Sequence, residues 1–264
     1  MTTVTRQLQP DPGTVTAAGR RLETLWIAPA RSGLPTLVVL HEALGSIELW
    51  KDFPQHLATA TGCGVLVYSR WGHGRSERRE SKRSIDYLHY EGEVALPAVL
   101  DALGIERPVL IGHSDGSSLA LLYAAALPEG PAGLILEAPH VFVEEVTMAG
   151  VAAARVAYQT TDLGKKLARY HDDPDGVFWA WNDTWLDPRF RPWNIEAALS
   201  RIRCPVLLIQ GESDEYGSMA QLDAIRRETP QSELLLLPEC GHSPHRDQEA
   251  AVLAAVARFV EALR

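Results

Sequence analysis

The stretch VLIGHSDGSSLALLYAAA, residues 109–126, sets the polar cluster His113-Ser114-Asp115 between two apolar runs. Before it stands a short β-branched run, Val109-Leu110-Ile111. After it comes an alanine-rich apolar run too long for a strand. The reading is strand, sharp turn, helix. Gly112 and Gly116 flank Ser114 two residues away on either side, so the central residue can take an unusual backbone conformation without side chains colliding. Gly112-His113-Ser114-Asp115-Gly116 matches G-x-S-x-G in the strand-to-helix context that motif requires.

A serine hydroxyl is a poor nucleophile at neutral pH and needs a base within reach and an acid that orients the base. Downstream, Gln210-Gly211-Glu212-Ser213-Asp214-Glu215-Tyr216 puts carboxylates directly after an apolar run. Cys240-Gly241-His242-Ser243-Pro244-His245 puts imidazoles in the loop before the last helical segment. The expected catalytic set is therefore Ser114, Asp214 and His242, in the order Ser, Asp, His. Glu212, Glu215 and, from another loop, Glu137 compete for the acid. His245 competes for the base. Two histidines at that spacing without a third ligand make a weak metal signal, and His41-Glu42 begins no zinc helix because residue 45 is Gly45.

Outward from this turn, short apolar runs recur: TLVVL from Thr36, GVLVYS from Gly64, PVLIG from Pro108, GLILEAP from Gly133, PVLLIQG from Pro205 and ELLLLP from Glu233. They read as buried strands of a mostly parallel sheet. Helices fit residues 85–104, 116–127 and 217–228 and the C-terminal segment, with Pro97 kinking the first. Alternating βα units give a doubly wound α/β fold. More than sixty residues between Ala138 and Pro205 carry no strand signal and hold Trp179, Trp181, Trp185 and Trp193, four of the seven tryptophans. This predicts a helical cap, 139–200, inserted into a core domain of 1–138 and 201–264 and placed over the sheet's carboxyl edge. Aromatic surface there suits a pocket roof, and some of the tryptophans serve only to glue the cap to the core.

At 264 residues and 46% hydrophobic the chain can bury a full core. A formal net charge of −9 gives no footprint for nucleic acid, and the one basic cluster, Arg75 to Arg83, is interrupted by Glu77 and Glu80. Cys63, Cys204 and Cys240 are odd in number and scattered, against a disulfide framework or thiolate zinc site. The opening MTTVTRQLQPDPG has no apolar export segment, and no run approaches the roughly eighteen apolar residues of a membrane span. The expectation is a cytoplasmic, soluble monomer or homodimer with a small-molecule substrate, without cofactor or metal and without nucleic-acid or membrane partners.

Taken together, the elbow motif, the three ordered residues, Tyr68-Ser69-Arg70-Trp71-Gly72-His73-Gly74-Arg75-Ser76 and Leu40-His41-Glu42-Ala43 resemble the α/β-hydrolase superfamily over roughly residues 20–264. The resemblance is to its small capped branch of esterases, C–C bond hydrolases and prolyl-aminopeptidase-like enzymes. It implies an oxyanion hole from the backbone N–H groups of Ala43 and Asp115 and favours His242, after Gly241, over His245. It also makes Glu137 the second choice for the acid, by its resemblance to hydrolases that carry their acid after the corresponding strand. Residue 114 being serine excludes the aspartate-nucleophile branch. Where the family usually has His-Gly, this chain has His41-Glu42. Glu42 either enters the pocket to select a cationic or hydrogen-bonding substrate or faces outward, and the cost of a buried unpaired carboxylate favours the latter. Candidate substrate contacts are Glu42, His113, Glu137, Trp179 and Trp185, with His113 read as packing or pocket wall. The implied activity is cleavage of a small carboxylic ester. Alternatives are C–C, thioester, lactone or prolyl-type amide hydrolysis on the same residues, with Glu42, Glu137 or Glu144 available to bind an ammonium. A ligand-binding sensor with residual turnover is the non-enzymatic alternative.

Overall fold

The computed structural model describes residues 10–263; the first nine residues, which belong to the opening read as free of an export segment, lie outside the described residues. Eight strands form one sheet in the order β1-β2-β4-β3-β5-β6-β7-β8. Strands β3 (Thr36–Leu40), β4 (Gly64–Tyr68), β5 (Val109–His113), β6 (Gly133–Glu137), β7 (Val206–Gly211) and β8 (Glu233–Leu237) run parallel. These are the six apolar runs of the sequence. The sequence reading lacks the remaining pair, β1 (Pro10–Ala17) and β2 (Arg20–Ile27), an antiparallel hairpin that turns at Ala18-Gly19 and pairs through β2 with β4. Both turn residues are left-handed, φ 49° and 72°, as a two-residue hairpin turn requires. Pro10 and Pro12 in β1 argue against a strand, but β1 is an edge, where a missing N–H does no harm.

Side chains alternate between the faces of the strands, and both faces are covered. Val38, Leu40, Leu66, Leu110, Leu134, Leu136 and Leu208 belong to one core, while Leu37, Val39, Val65, Val67, Ile111, Ile135 and Ile209 belong to the other. The second core is closed by α1 (Phe53–Thr61), through Leu57 and Ala58, and by the C-terminal helix Glu249–Ala262, through Val252, Val256, Phe259 and Val260.

On the first face, the predicted helix of residues 85–104 breaks into α2 (Tyr87–Tyr90), a π-turn (Glu91–Ala95) and α3 (Leu96–Ala102). Pro97 occupies the second position of α3, and the wide turn lies just before it, where the proline lacks the N–H that would continue the helix. Helix α4 (Asp115–Ala126) follows β5 directly. Between β6 and β7 lie α5 (Glu145–Thr160), α6 (Leu163–Leu167), α7 (Pro174–Trp185) and α8 (Glu196–Leu199). The base of this insert is closed by a bridge between Phe142 and Asn194 and by Ile195 N–H donating to the Val141 carbonyl at 2.8 Å. After β7 come α9 (Met219–Glu228), then β8, α10 (Pro244–Asp247) and α11 (Glu249–Ala262).

Candidate active site

Ser114 stands between β5 and α4 with φ 53° and ψ −115°, a left-handed conformation for a residue with a side chain. The glycines on either side permit it. A Cβ on Gly116 would strike the Leu40 carbonyl, and one on Gly112 would strike the Gly116 backbone, so both positions need bare backbone for the turn to pack against the end of β3. The turn is tied down by its neighbours: Ser114 N–H donates to the Glu137 carbonyl at 2.9 Å, Ser117 Oγ to the Gly112 and Glu137 carbonyls, and Ser118 Oγ to the His140 carbonyl. The N-terminus of α4 opens beside Ser114, adding positive potential there.

His242 and Asp214 come from the loops after β8 and β7. The imidazole Nδ1 donates to Asp214 Oδ1 and Oδ2 at 2.8 and 2.9 Å. Asp214 also accepts from Gln210 Nε2 at 2.7 Å and from the N–H groups of Tyr216 and Gly217 at 2.7 and 3.2 Å. Burial alone would raise its carboxyl, but the bond and charge of His242 and the Tyr216 N–H hold it below the usual range. The carboxylate thus fixes Nδ1–H, leaving Nε2 as the nitrogen free for proton transfer. His242 and Ser114 line one cavity of about 180 Å³.

Glu137, the second choice for the acid, does not reach His242. It is wholly buried, and its Oε2 accepts from His245 Nδ1 at 2.8 Å and from the His245 N–H at 3.1 Å. It caps the start of α10 and does not line the cavity, contrary to its expected place beside the substrate. His245 packs on Trp50 and Phe53, and the two loop histidines pair with different carboxylates. His113 lines the cavity and donates its Nε2–H to the His242 carbonyl at 2.6 Å, bracing the loop that carries His242. Burial, with His245 and His242 nearby, keeps its pKa well below the usual value, in keeping with a neutral donor.

Ala43 and Asp115 also line the cavity. The peptide between Glu42 and Ala43 is held by its carbonyl, which accepts from Arg70 Nη2 at 2.9 Å and His41 Nδ1 at 2.7 Å. Because a trans peptide points its N–H opposite to its C=O, these two donors direct the Ala43 N–H away from Arg70. The Ala43 carbonyl accepts from His73 Nε2 at 3.1 Å, so the peptide on either side of Ala43 is pinned. Arg70 itself donates to Glu91 Oε2 at 2.7 Å and to Asp115 Oδ2 at 3.4 Å. Tyr87 Oη donates to the same Asp115 oxygen at 2.8 Å and accepts from Trp185 Nε1 of α7 at 2.9 Å. Burial would lower the Arg70 pKa, but Glu91 and Asp115 raise it, so the guanidinium stays charged.

The expectation that Glu42 faces outward is corrected: it is half-buried and lines the cavity, with its carboxyl folded over Gly45. Burial raises its pKa, offset in part by His245, Arg246, Arg70 and His242. Trp185 lines the cavity, but Trp179 does not. Trp179 packs edge-on against Tyr158 and Phe178 and walls a separate cleft of about 590 Å³ between residues 79–85 and α7. Helical geometry explains the error: residues 181 and 185 share a face, and 179 lies on the far side. Trp181, one turn before Trp185, lines the cavity instead, as do His140 and Tyr216. The four-residue spacing was the available signal for Trp181. For His140 it was the position just past the carboxyl end of a buried strand.

The model of the Alpha/beta hydrolase family matches residues 37–256. A bifunctional esterase/perhydrolase of Acinetobacter calcoaceticus is 29% identical over 184 residues, 58% of this chain and 65% of the relative, so the chain spans less than two thirds of that protein. Two solved structures superpose on nearly the whole chain at 19% identity, a likeness of fold alone. The proline iminopeptidase of Mycobacterium smegmatis has a TM-score of 0.76 with 96% of this chain and 98% of that one covered. The enol-lactonase of Burkholderia xenovorans has a TM-score of 0.75 with 94% and 100% covered. Eight strands in this order, a strained serine at the β5–α4 turn and a family match across most of the sequence lead to one conclusion: the chain belongs to the alpha/beta hydrolase family.

Proposed function

We propose that the protein is a serine hydrolase that cleaves a small carboxylic ester through an acyl-enzyme on Ser114. The observation that carries this reading is His242, held by Asp214 at 2.8 Å and lining one cavity with a serine in a left-handed turn. In the proposed cycle His242 Nε2 takes the Ser114 proton as Oγ attacks the ester carbonyl. The N–H groups of Ala43 and Asp115 receive the oxyanion. The tetrahedral intermediate collapses as the C–O bond to the alcohol breaks and His242 returns the proton to the departing oxygen. Water, deprotonated by His242, then attacks the acyl-enzyme and releases the acid and free Ser114.

A volume of about 180 Å³ is below the roughly 300–1,000 Å³ of drug-sized sites, which favours a small substrate. Trp181 and Trp185 supply an apolar wall, in keeping with residues 139–200 acting as the cap. The test is labelling by a fluorophosphonate probe, followed by p-nitrophenyl esters of graded acyl length. Wild-type protein should be labelled at Ser114 and turn over short esters, and Ser114→Ala should do neither. A wild-type protein that is folded but unlabelled overturns the reading.

A further inference from the structure

One side chain of the cavity has no place in that cycle. His140 follows β6 and is 2% exposed, with its ring 5.7 Å from that of His242 and 5.5 Å from that of Trp185. It lines the cavity, yet among the described residues nothing bonds either ring nitrogen. Nδ1 is sealed from solvent and unpaired, on the side toward Gly217. Burial and the neighbouring His242 lower its pKa to about 3, against the opposing pull of Asp214, so the ring is neutral in any ordinary buffer.

A neutral imidazole carries one N–H and one lone pair. A buried orphan N–H is costlier than an orphan lone pair, so the sealed Nδ1 is the bare nitrogen and the proton sits on Nε2. Among the described residues nothing accepts that proton. The acceptor it suits is also constrained in charge: the cavity wall carries Glu42 and Glu215 and neither lysine nor arginine. A carboxylate or phosphate would meet two acids there, whereas a neutral oxygen would not.

We propose that His140 is a specificity-determining residue whose Nε2–H donates to a neutral oxygen of the substrate, an ether, hydroxyl or carbonyl, lying within a few atoms of the scissile carbonyl. This rests on the ester-cleaving reading of the same cavity. The backbone carbonyl of His140 is what Ser118 uses, so changing the side chain leaves that tie in place.

The experiment compares esters that differ only by oxygen in place of methylene. The p-nitrophenyl pairs are methoxyacetate against butyrate and 3-methoxypropionate against valerate; the alcohol-side pair is 2-methoxyethyl against butyl acetate. Each kcat/KM is measured for wild type, His140→Leu and His140→Asn. Dividing the oxygen preference of wild type by that of His140→Leu cancels the intrinsic reactivity of the esters. The expected quotient is about tenfold or more for at least one pair, because a buried donor left unpaired penalises the methylene analogue. His140→Asn, which keeps an N–H donor, should recover part of the preference. Quotients within about twofold for every pair, or equal losses on both members of each pair, overturn the proposal, since a purely structural role would lower both alike. Fluorophosphonate labelling separates the two readings: labelled Ser114 with flat quotients sinks only the role of His140, while unlabelled wild-type protein sinks the esterase reading beneath it. If His140→Leu shows no cooperative thermal transition, His140→Phe carries the same comparison.

Discussion

Ser114 at φ 53° holds a conformation that costs a residue with a Cβ about 1–3 kcal/mol. Glycine there would relieve that strain at an entropic cost of roughly 0.5–1 kcal/mol. Ser114→Gly is therefore expected to melt above Ser114→Ala by the equivalent of about 1 kcal/mol, with both inactive; equal melting temperatures would show that the turn is unstrained. Asp214→Asn should fold normally and lose roughly 10⁴-fold in kcat, because the amide no longer selects the Nδ1–H tautomer of His242. Glu137→Gln should keep activity within about tenfold and lose stability, since Glu137 serves His245 and the start of α10. If the two variants exchange these effects, the acid has been misassigned. The placement of Ser114, Asp214 and His242 at one edge of the sheet was legible in the sequence because each lies just past an apolar run and close to a glycine. Arg70 and His140 were not, because their meaning depends on what lies across the fold: for Arg70 the Glu42 carbonyl, for His140 a buried Nδ1 without a hydrogen bond among the described residues.

The loop of residues 41–46, the loop of residues 69–76, α2, α4 and α7 meet at Arg70, Asp115, Tyr87 and Trp185. Only the planar guanidinium can bond Glu91 and the Glu42 carbonyl at once, from Nη1 and Nη2. Arg70→Lys keeps the charge and loses the fork, so the Glu42 carbonyl keeps only His41 Nδ1 and the Gly45 N–H of its three donors. The expected result is a fall in kcat of roughly tenfold or more with KM little changed, against about 3–4 kcal/mol for outright loss of an oxyanion donor. Unchanged kcat would mean that His41 and the Gly45 N–H suffice to orient this peptide. Arg70→Ala should cost about 3–5 kcal/mol in urea unfolding, since Glu91 and Asp115 would be left buried without their shared cation. Among the elements, apolar runs with glycine or proline at their ends were the easiest to read. The β1–β2 hairpin was hidden because prolines and threonines dominate β1, and Trp179 was misplaced because a cluster of tryptophans does not by itself say which side of a helix faces the site.

For the molecule as a whole, His41, His73, His113, His140 and His171 all have pKa values below the usual imidazole value, burial being the first cause in each case. An unfolded chain protonates these rings near pH 6.5 and the folded one does not. Their contribution to stability is thus complete above about pH 6.5 and is eroded as pH falls toward the folded values. Each ring adds up to about 1.4 kcal/mol per pH unit to the slope. Urea melts at pH 7.5, 6.5 and 5.5 should show loss of stability beginning well above the range in which carboxylates titrate; a flat profile between 6.5 and 5.5 would refute this. The doubly wound class was readable because both faces of the sheet are covered and the six parallel strands, β3 to β8, are predominantly apolar. The two margins of that sheet, however, are guarded unequally. β1 carries Pro10 and Pro12, which cannot donate to an incoming strand, whereas β8 is Glu233 followed by four leucines, with Leu236 38% exposed. Aggregation under heat should therefore start by strand addition at β8, and Leu236→Lys should delay light scattering while leaving catalysis untouched.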